Sequence, residues 1–221
     1  RAAGALAAAV TAELSHLAMG TAVITVTVSP SGRFGPDGAD DVEIGLAANP
    51  GTAARSVTRA ASGGELSRVM LALELAAGGS GPPGGAGPPG GAGSPGGTGR
   101  AAGTGRAAVP TFVFDEVDAG VGGRAALDVG ARLAALATHA QVVVVTHLAQ
   151  VAAHADRHLV VAKSDDGAVT RSGVREVTGE GRVTELARMM AGTETPAARR
   201  HAEDLLARTG QHRRAAREPG R

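Results

Sequence analysis

The chain has 221 residues, a formal net charge of +1 and no cysteine. That length suffices for one sizeable core or a core with appendages. The charge gives no overall pull toward nucleic acid, and the missing thiols exclude a disulfide scaffold and cysteine-ligated zinc. Aromatic residues make up 1% of the chain, with no Trp or Tyr, which removes stacking platforms for bases. No apolar run approaches the roughly 18 residues that span a bilayer, so no membrane partner is expected and a reducing cytoplasm fits. "AAGALAAAV" near the start resembles a signal core, but Glu13 and His16 follow at once. The chain begins at Arg1 rather than Met, and the expectation is a part of a longer protein.

In chain order, residues 2 to 18 predict a helix striped by Leu6, Val10, Leu14 and Leu17; it is either an ordinary amphipathic helix or the end of a coiled coil. "TAVITVTV" and "DVEIGLAA" bracket the loop "SPSGRFGPDGAD" and predict an antiparallel pair. The run from Glu65 to Ala77 predicts a helix with Leu66, Val69, Met70 and Leu73 on one face. A Gly/Pro-rich stretch over 78–106 follows; glycine recurs at collagen spacing, but several intervening positions are themselves glycine, and a flexible insertion is the reading. "VPTFVFDEVD" and "QVVVVTH" predict buried parallel strands of an α/β sheet, "HLVVAK" a further strand and "AVTRSGVREVT" a hairpin arm. Two helices close the chain, "RVTELARMMAG" and, after Pro196, "AARRHAEDLLART", with a basic tail over 209–221 read as a solvated, disordered end.

Three stretches carry chemistry. "ASGGELSR" puts Ser62 and Glu65 at capping-box spacing, which by itself is only a well-capped helix. A cap does not require Gly63 and Gly64, and bare N–H groups at a helix start, with a serine hydroxyl beside them, can take a phosphate. "TFVFDEVDAGVGG" ends a strand in Asp115 and Glu116, where open α/β sheets bind ligands. One acid there can hold Mg²⁺ through water while its neighbour deprotonates an attacking water; solvated loop acids are the plainer alternative. "VVVVTHLAQVAAHAD" ends a strand in Thr146 and His147, and His147 either meets a phosphate oxygen or caps the core. His154 and His158 have a spacing that zinc can use, but no third ligand is evident. A phosphate loop of the form G-x-x-x-x-G-K-S/T is absent; the only lysine is Lys163.

Taken in this order, the three stretches resemble the ABC-type, SMC-like ATPases of chromosome maintenance and repair, and "DEVDAGVGG" and "RVTELARMMAGTETPAARRHAEDLL" resemble a bacterial DNA-repair branch of them. The resemblance covers residues from about 12 to 207 outside the Gly/Pro stretch. It implies the C-terminal lobe of an ATPase head: an α/β fold with a mostly parallel sheet flanked by helices and an antiparallel pair near the start. Residues 1–19 would end a coiled coil, and 20–77 with 107–208 would form the lobe. It further implies that Ser62, Gly63, Gly64 and Glu65 form the signature closing on ATP held by a second protomer. Asp115 would hold Mg²⁺, Glu116 would act as general base and His147 would sense the γ-phosphate. Asp118 would join the nucleotide-binding residues at the head of an interface loop running to Gly123. Val121 and Gly122 stand where many relatives carry leucine and aspartate. The implied partners are an N-terminal lobe with the missing Walker A loop, a second copy of the protein, and DNA, in double-strand-break repair and recombination close to the nucleoid. Two other readings stay open: a non-catalytic structural module, and a transporter-type nucleotide-binding domain with a membrane partner.

Overall fold

A computed structural model describes residues 1–36, 38–78, 109–165 and 170–217. The Gly/Pro-rich stretch beyond Gly78 therefore lies outside the described residues, as does the end of the basic tail beyond Arg217.

The alanine-rich start forms α1 (Ala2–His16), and alanine is the strongest helix former. Val10, Leu14 and Leu17 are fully buried, packing toward the core. The helix ends by a left-handed residue, Ala18 at φ 58°, which lets Met19 N–H return to Leu14 O at 3.1 Å. Strands β1 (Val23–Gly35) and β2 (Gly38–Ala47) pair antiparallel from Val23↔Ala47 to Gly35↔Gly38, with a register shift between Pro30 and Gly35. Most of the expected loop is thus taken into the hairpin. Thr11 Oγ1 accepts from Ile24 N–H at 3.0 Å and ties the hairpin to α1. A short β3 (Arg55–Ser56) adds to β2, and α2 (Val57–Ala60) leads to α3 (Gly63–Gly78).

In α3, Val69, Leu71 and Ala72 are fully buried, whereas Met70 is exposed and Leu66 and Leu73 are half-buried. Of the expected face Val69 is fully buried, and the buried side is completed by Gly64, Arg68, Leu71 and Ala72 rather than by Met70, at helical spacing. Each fully buried Val or Leu there stabilises by about 1.5–3 kcal/mol.

Strand β4 (Thr111–Phe114) and strand β5 (Gln141–Val144) are parallel in register, Phe114 beside Val144, with α4 (Gly123–Leu136) as the crossover. Ala126, Val129, Gly130, Leu133 and Leu136 give α4 its buried stripe. Short α5 (Ala149–Ala152) follows β5. Strands β6 (His158–Asp165) and β7 (Thr170–Val177) form a separate antiparallel ribbon. Helix α6 (Gly179–Ala191) stops at left-handed Gly192, and α7 (Pro196–Arg217) restarts with Pro196 in its first turn and Thr195 Oγ1 accepting from Ala198 N–H at 3.1 Å. Residues 209–217, expected as disordered tail, continue α7 instead.

Two cores result. The larger joins α1, the β1–β2 hairpin, α3, the β4–β5 pair and α4; the smaller joins α5, α6 and α7 around Leu186, Ala187, Ala202 and Leu205. The α/β class holds, but β4–β5 is the one parallel pair among the described residues. The apolar runs were expected to be buried on both faces. Phe114 is buried and Phe112, Val142 and Val144 are half-buried on one face, while Val113 and Val145 on the other are 68% and 59% exposed.

Candidate nucleotide site at the strand ends

The serine–glycine corner is a capping box. Ser62 N–H donates to Glu65 Oε2 at 2.8 Å, and Glu65 N–H reaches Ser62 Oγ at 3.4 Å. The backbone hydrogen bond from Ser62 holds the Glu65 carboxyl below the usual carboxylate range. Glu65 is thus occupied with the cap. The Ser62 hydroxyl keeps its proton to donate, and helix geometry leaves the N–H groups of Gly63 and Gly64 without intrahelical acceptors.

The two glycines differ. Gly63 is exposed, and a β-carbon there would meet only the mobile end of Glu116, 3.1 Å from Oε2. Gly64 is buried, and a β-carbon there would lie 2.7 Å from Ala119 Cβ and 2.8 Å from Glu116 O. Both had been expected to admit a phosphate. The missing β-carbon of Gly64 makes room for the turn that follows β4.

That turn carries the acids. Because β4 and β5 are parallel, Asp115 and Glu116 leave β4 at the same sheet end where Thr146 and His147 leave β5; Val145 N–H donates to Phe114 O at 2.9 Å as the two part. Asp115 and Glu116 are exposed. Glu116 has φ 56°, a left-handed backbone costing a non-glycine residue about 1–2 kcal/mol. Such a residue persists only where its surroundings over-determine it. Here Ala119 N–H closes on Glu116 O at 3.0 Å, and helix α3 grips the turn from the other side. Ser67 Oγ donates to Asp115 O at 2.8 Å, and Arg68 Nη1 donates to Val117 O at 3.2 Å and Ala119 O at 2.9 Å.

Asp118 faces inward. Its residue is 2% exposed, and its Oδ2 accepts from Thr146 Oγ1 at 2.5 Å and from His147 N–H at 3.1 Å, with His147 Nδ1 at 3.2 Å. The carboxylate expected among the nucleotide-binding groups is therefore spent inside the chain, where it fixes the imidazole's Nδ1 edge. The outer edge of His147 stays open, its side chain being 73% exposed. One Asp holding one ring nitrogen leaves the other aimed outward, an arrangement that orients functional histidines.

The expected residues thus fall into one constellation. Ser62, Gly63, Asp115, Glu116 and His147 surround one end of the β4–β5 pair, with Gly64, Glu65 and Asp118 as their supports. The sequence reading placed Thr146 at the strand end without a role, and gave none to Ser67 or Arg68. Arg68 had a usable signal, since a charged residue four positions after Gly64 lies on the buried row. His154 and His158 lie elsewhere: His154 Nδ1 donates to Gln150 O at 2.9 Å against Gly130, and both rings are buried. No cluster of three or more metal-type side chains occurs among the described residues.

No family model matches the chain. The chain is 52% identical over 213 residues to the DNA repair protein RecN of Streptomyces coelicolor, covering 90% of this chain and 33% of that one. It is 48% identical over 227 residues to RecN of Mycobacterium leprae, covering 93% of this chain and 34% of the other. Its fold resembles the Smc head domain of Pyrococcus yayanosii, with a TM-score of 0.50 at 19% identity over 85% of this chain and 29% of that chain. That likeness speaks for the fold alone. The chain spans about a third of the length of the curated relatives it matches. It belongs with the RecN proteins and corresponds to their C-terminal part.

Proposed function

We propose that the chain is the C-terminal lobe of an ATP-hydrolysing head in an SMC-like protein of DNA double-strand-break repair and recombination. The observation that carries this reading is the meeting of the serine–glycine corner, the acid pair and His147 at one sheet end, held by direct hydrogen bonds. The sequence has no phosphate loop, so the reading assigns that loop to an N-terminal lobe. The bare apolar face of β4–β5, with Val113 and Val145, supports it, because such a face demands cover.

Asp115 fits a magnesium site: it stands exposed at the strand end, its backbone is pinned by Ser67, and no described residue takes up its carboxylate. Bound through Asp115, Mg²⁺ would offset charge on the phosphates. Glu116 takes the proton from the water attacking the γ-phosphorus. His147, oriented by Asp118, meets a γ-phosphate oxygen with its outer nitrogen. Ser62 Oγ and the N–H groups at the start of α3 bind the γ-phosphate of ATP carried by a second copy. Closure of two heads then depends on triphosphate, and hydrolysis shifts the population toward separated heads. Residues 1–19 would form the returning end of the coiled coil, DNA would be the partner, and the cytoplasm near the nucleoid the location. No helix of the described residues is long and apolar enough to cross a membrane.

The test is Glu116→Gln in the full-length protein. Turnover is expected to fall roughly 10²–10⁴-fold, the usual share of a positioned base, while ATP holds the heads together as a dimer. Normal turnover in that variant removes Glu116 from the reaction.

A further inference from the structure

Arg68 is 6% exposed and makes no ion pair among the described residues. Its guanidinium reaches two carbonyl oxygens, those of Val117 and Ala119, while its Nε–H is buried without an acceptor. Buried cations are normally paired, because losing water costs more than neutral acceptors return. Burial accordingly lowers the pKa of Arg68, opposed by the nearby Glu65 and Asp118 carboxylates. A methionine or leucine would fill the same space without that cost. The fold keeps the guanidinium at the one place where α3 crosses the turn from Asp115 to Ala119.

The placement explains its use. Val117 and Ala119 flank Asp118, which holds His147, and they follow Glu116, whose left-handed backbone needs support. Arg68 lies one helical turn beyond Gly64, close enough that a β-carbon on Gly64 would come within 3.4 Å of Nη1. A single planar group therefore links α3, one turn past Gly64, to the carbonyls on either side of Asp118. Both bonds leave the one nitrogen Nη1, whose N–H groups are fixed in the guanidinium plane, whereas those of an ammonium rotate freely.

We infer that Arg68 is a positioning residue: it locks the serine–glycine corner to the Glu116–Asp118 turn, so that the groups serving the second copy's nucleotide and those serving the chain's own move as one body. The inference rests on the head reading above. Without the guanidinium the turn relaxes, Glu116 leaves its left-handed conformation, and the base loses its aim while nucleotide binding persists.

Steady-state ATP hydrolysis of the full-length protein tests this with Arg68→Met, Arg68→Lys and Arg68→Ala. Displacing a reacting group by about 1 Å costs up to roughly 10²-fold in rate, so kcat of Arg68→Met is expected to fall about 10- to 100-fold with KM for ATP within about twofold. Arg68→Lys stays impaired because the freely rotating N–H groups of an ammonium are not held in one plane toward the two carbonyls. Millimolar guanidinium ion restores part of kcat to Arg68→Ala and none to Glu116→Gln, a readout that a general packing role would not produce. Thermal melts of each variant run alongside. A kcat of Arg68→Met within twofold of wild type overturns the inference and leaves the head reading standing. So does a loss that follows the melting temperature and resists guanidinium. A wild-type protein that hydrolyses no ATP overturns the head reading itself.

Discussion

Replacing Gly64 by alanine inserts one methyl group between α3 and the turn after β4. Its carbon would lie 2.7 Å from Ala119 Cβ and 2.8 Å from Glu116 O. Carbon pairs pack best at about 3.5–4.0 Å, so the site is short by roughly 1 Å. Neither neighbour can rotate away, since one is a backbone oxygen and the other a β-carbon. Overpacking of this kind costs about 1–3 kcal/mol, against about 1 kcal/mol returned because alanine favours helix over glycine. The net expectation is a loss of up to about 2 kcal/mol, by combining those two terms. Gly63→Ala is the internal control. Its nearest neighbour is the swinging Glu116 carboxylate at 3.1 Å, so its effect on stability stays within about 0.5 kcal/mol. Urea unfolding of the three proteins, followed by circular dichroism, gives the comparison. Equal stability of Gly64→Ala and Gly63→Ala would refute the packing argument.

Ala18→Gly is expected to raise stability by about 1 kcal/mol, because Ala18 closes α1 at φ 58° and glycine adopts that conformation without strain. A melting temperature that stays put or falls rejects this. Gly130→Ala is expected to destabilise by up to about 2 kcal/mol, since its β-carbon would lie 2.4 Å from His154 Nδ1 and the overpacking outweighs the helix preference of alanine; an unchanged unfolding midpoint contradicts that contact. His158 predicts a pH dependence. Burial, then the charge of Arg182, pushes its pKa below the ordinary histidine value, with Glu185 opposing. The unfolded chain therefore binds this proton more readily, and stability declines as pH falls below about 6.5 until the folded ring also protonates. His158→Gln should flatten the decline between about pH 7.5 and 5.5; an unchanged slope shows that other groups cause it.

Local chemistry was readable from the sequence, and distant packing was not. The capping box of Ser62 and Glu65 depends on a spacing of three residues and formed as read. The parallel pair β4–β5 was legible because two apolar runs each end in polar residues with a helix between them. The left-handed stop at Gly192 and the restart at Pro196 followed from backbone preferences alone. The reason for Gly64 was not legible, because its neighbours Glu116 and Ala119 lie on a turn reached only after the 79–108 stretch. Arg68 meets its acceptors across sequence separations of 49 and 51 residues, and no local pattern encodes them. Asp118 entered among the nucleotide-binding groups through the family resemblance alone, and that resemblance does not encode how Thr146 and the His147 backbone turn its carboxylate inward. Helix α7 ran past the expected boundary because charge was read as disorder, although alanine and arginine both favour helix.

A divided active site is tested most directly by ATP hydrolysis in reconstitution: residues 1–221 alone, then with an N-terminal lobe carrying the phosphate loop added in trans. Phosphate release is expected from the mixture only, and to disappear when the mixture carries Glu116→Gln. Sustained hydrolysis by residues 1–221 alone would contradict the account, because the triphosphate would then be gripped without the loop assigned to the other lobe.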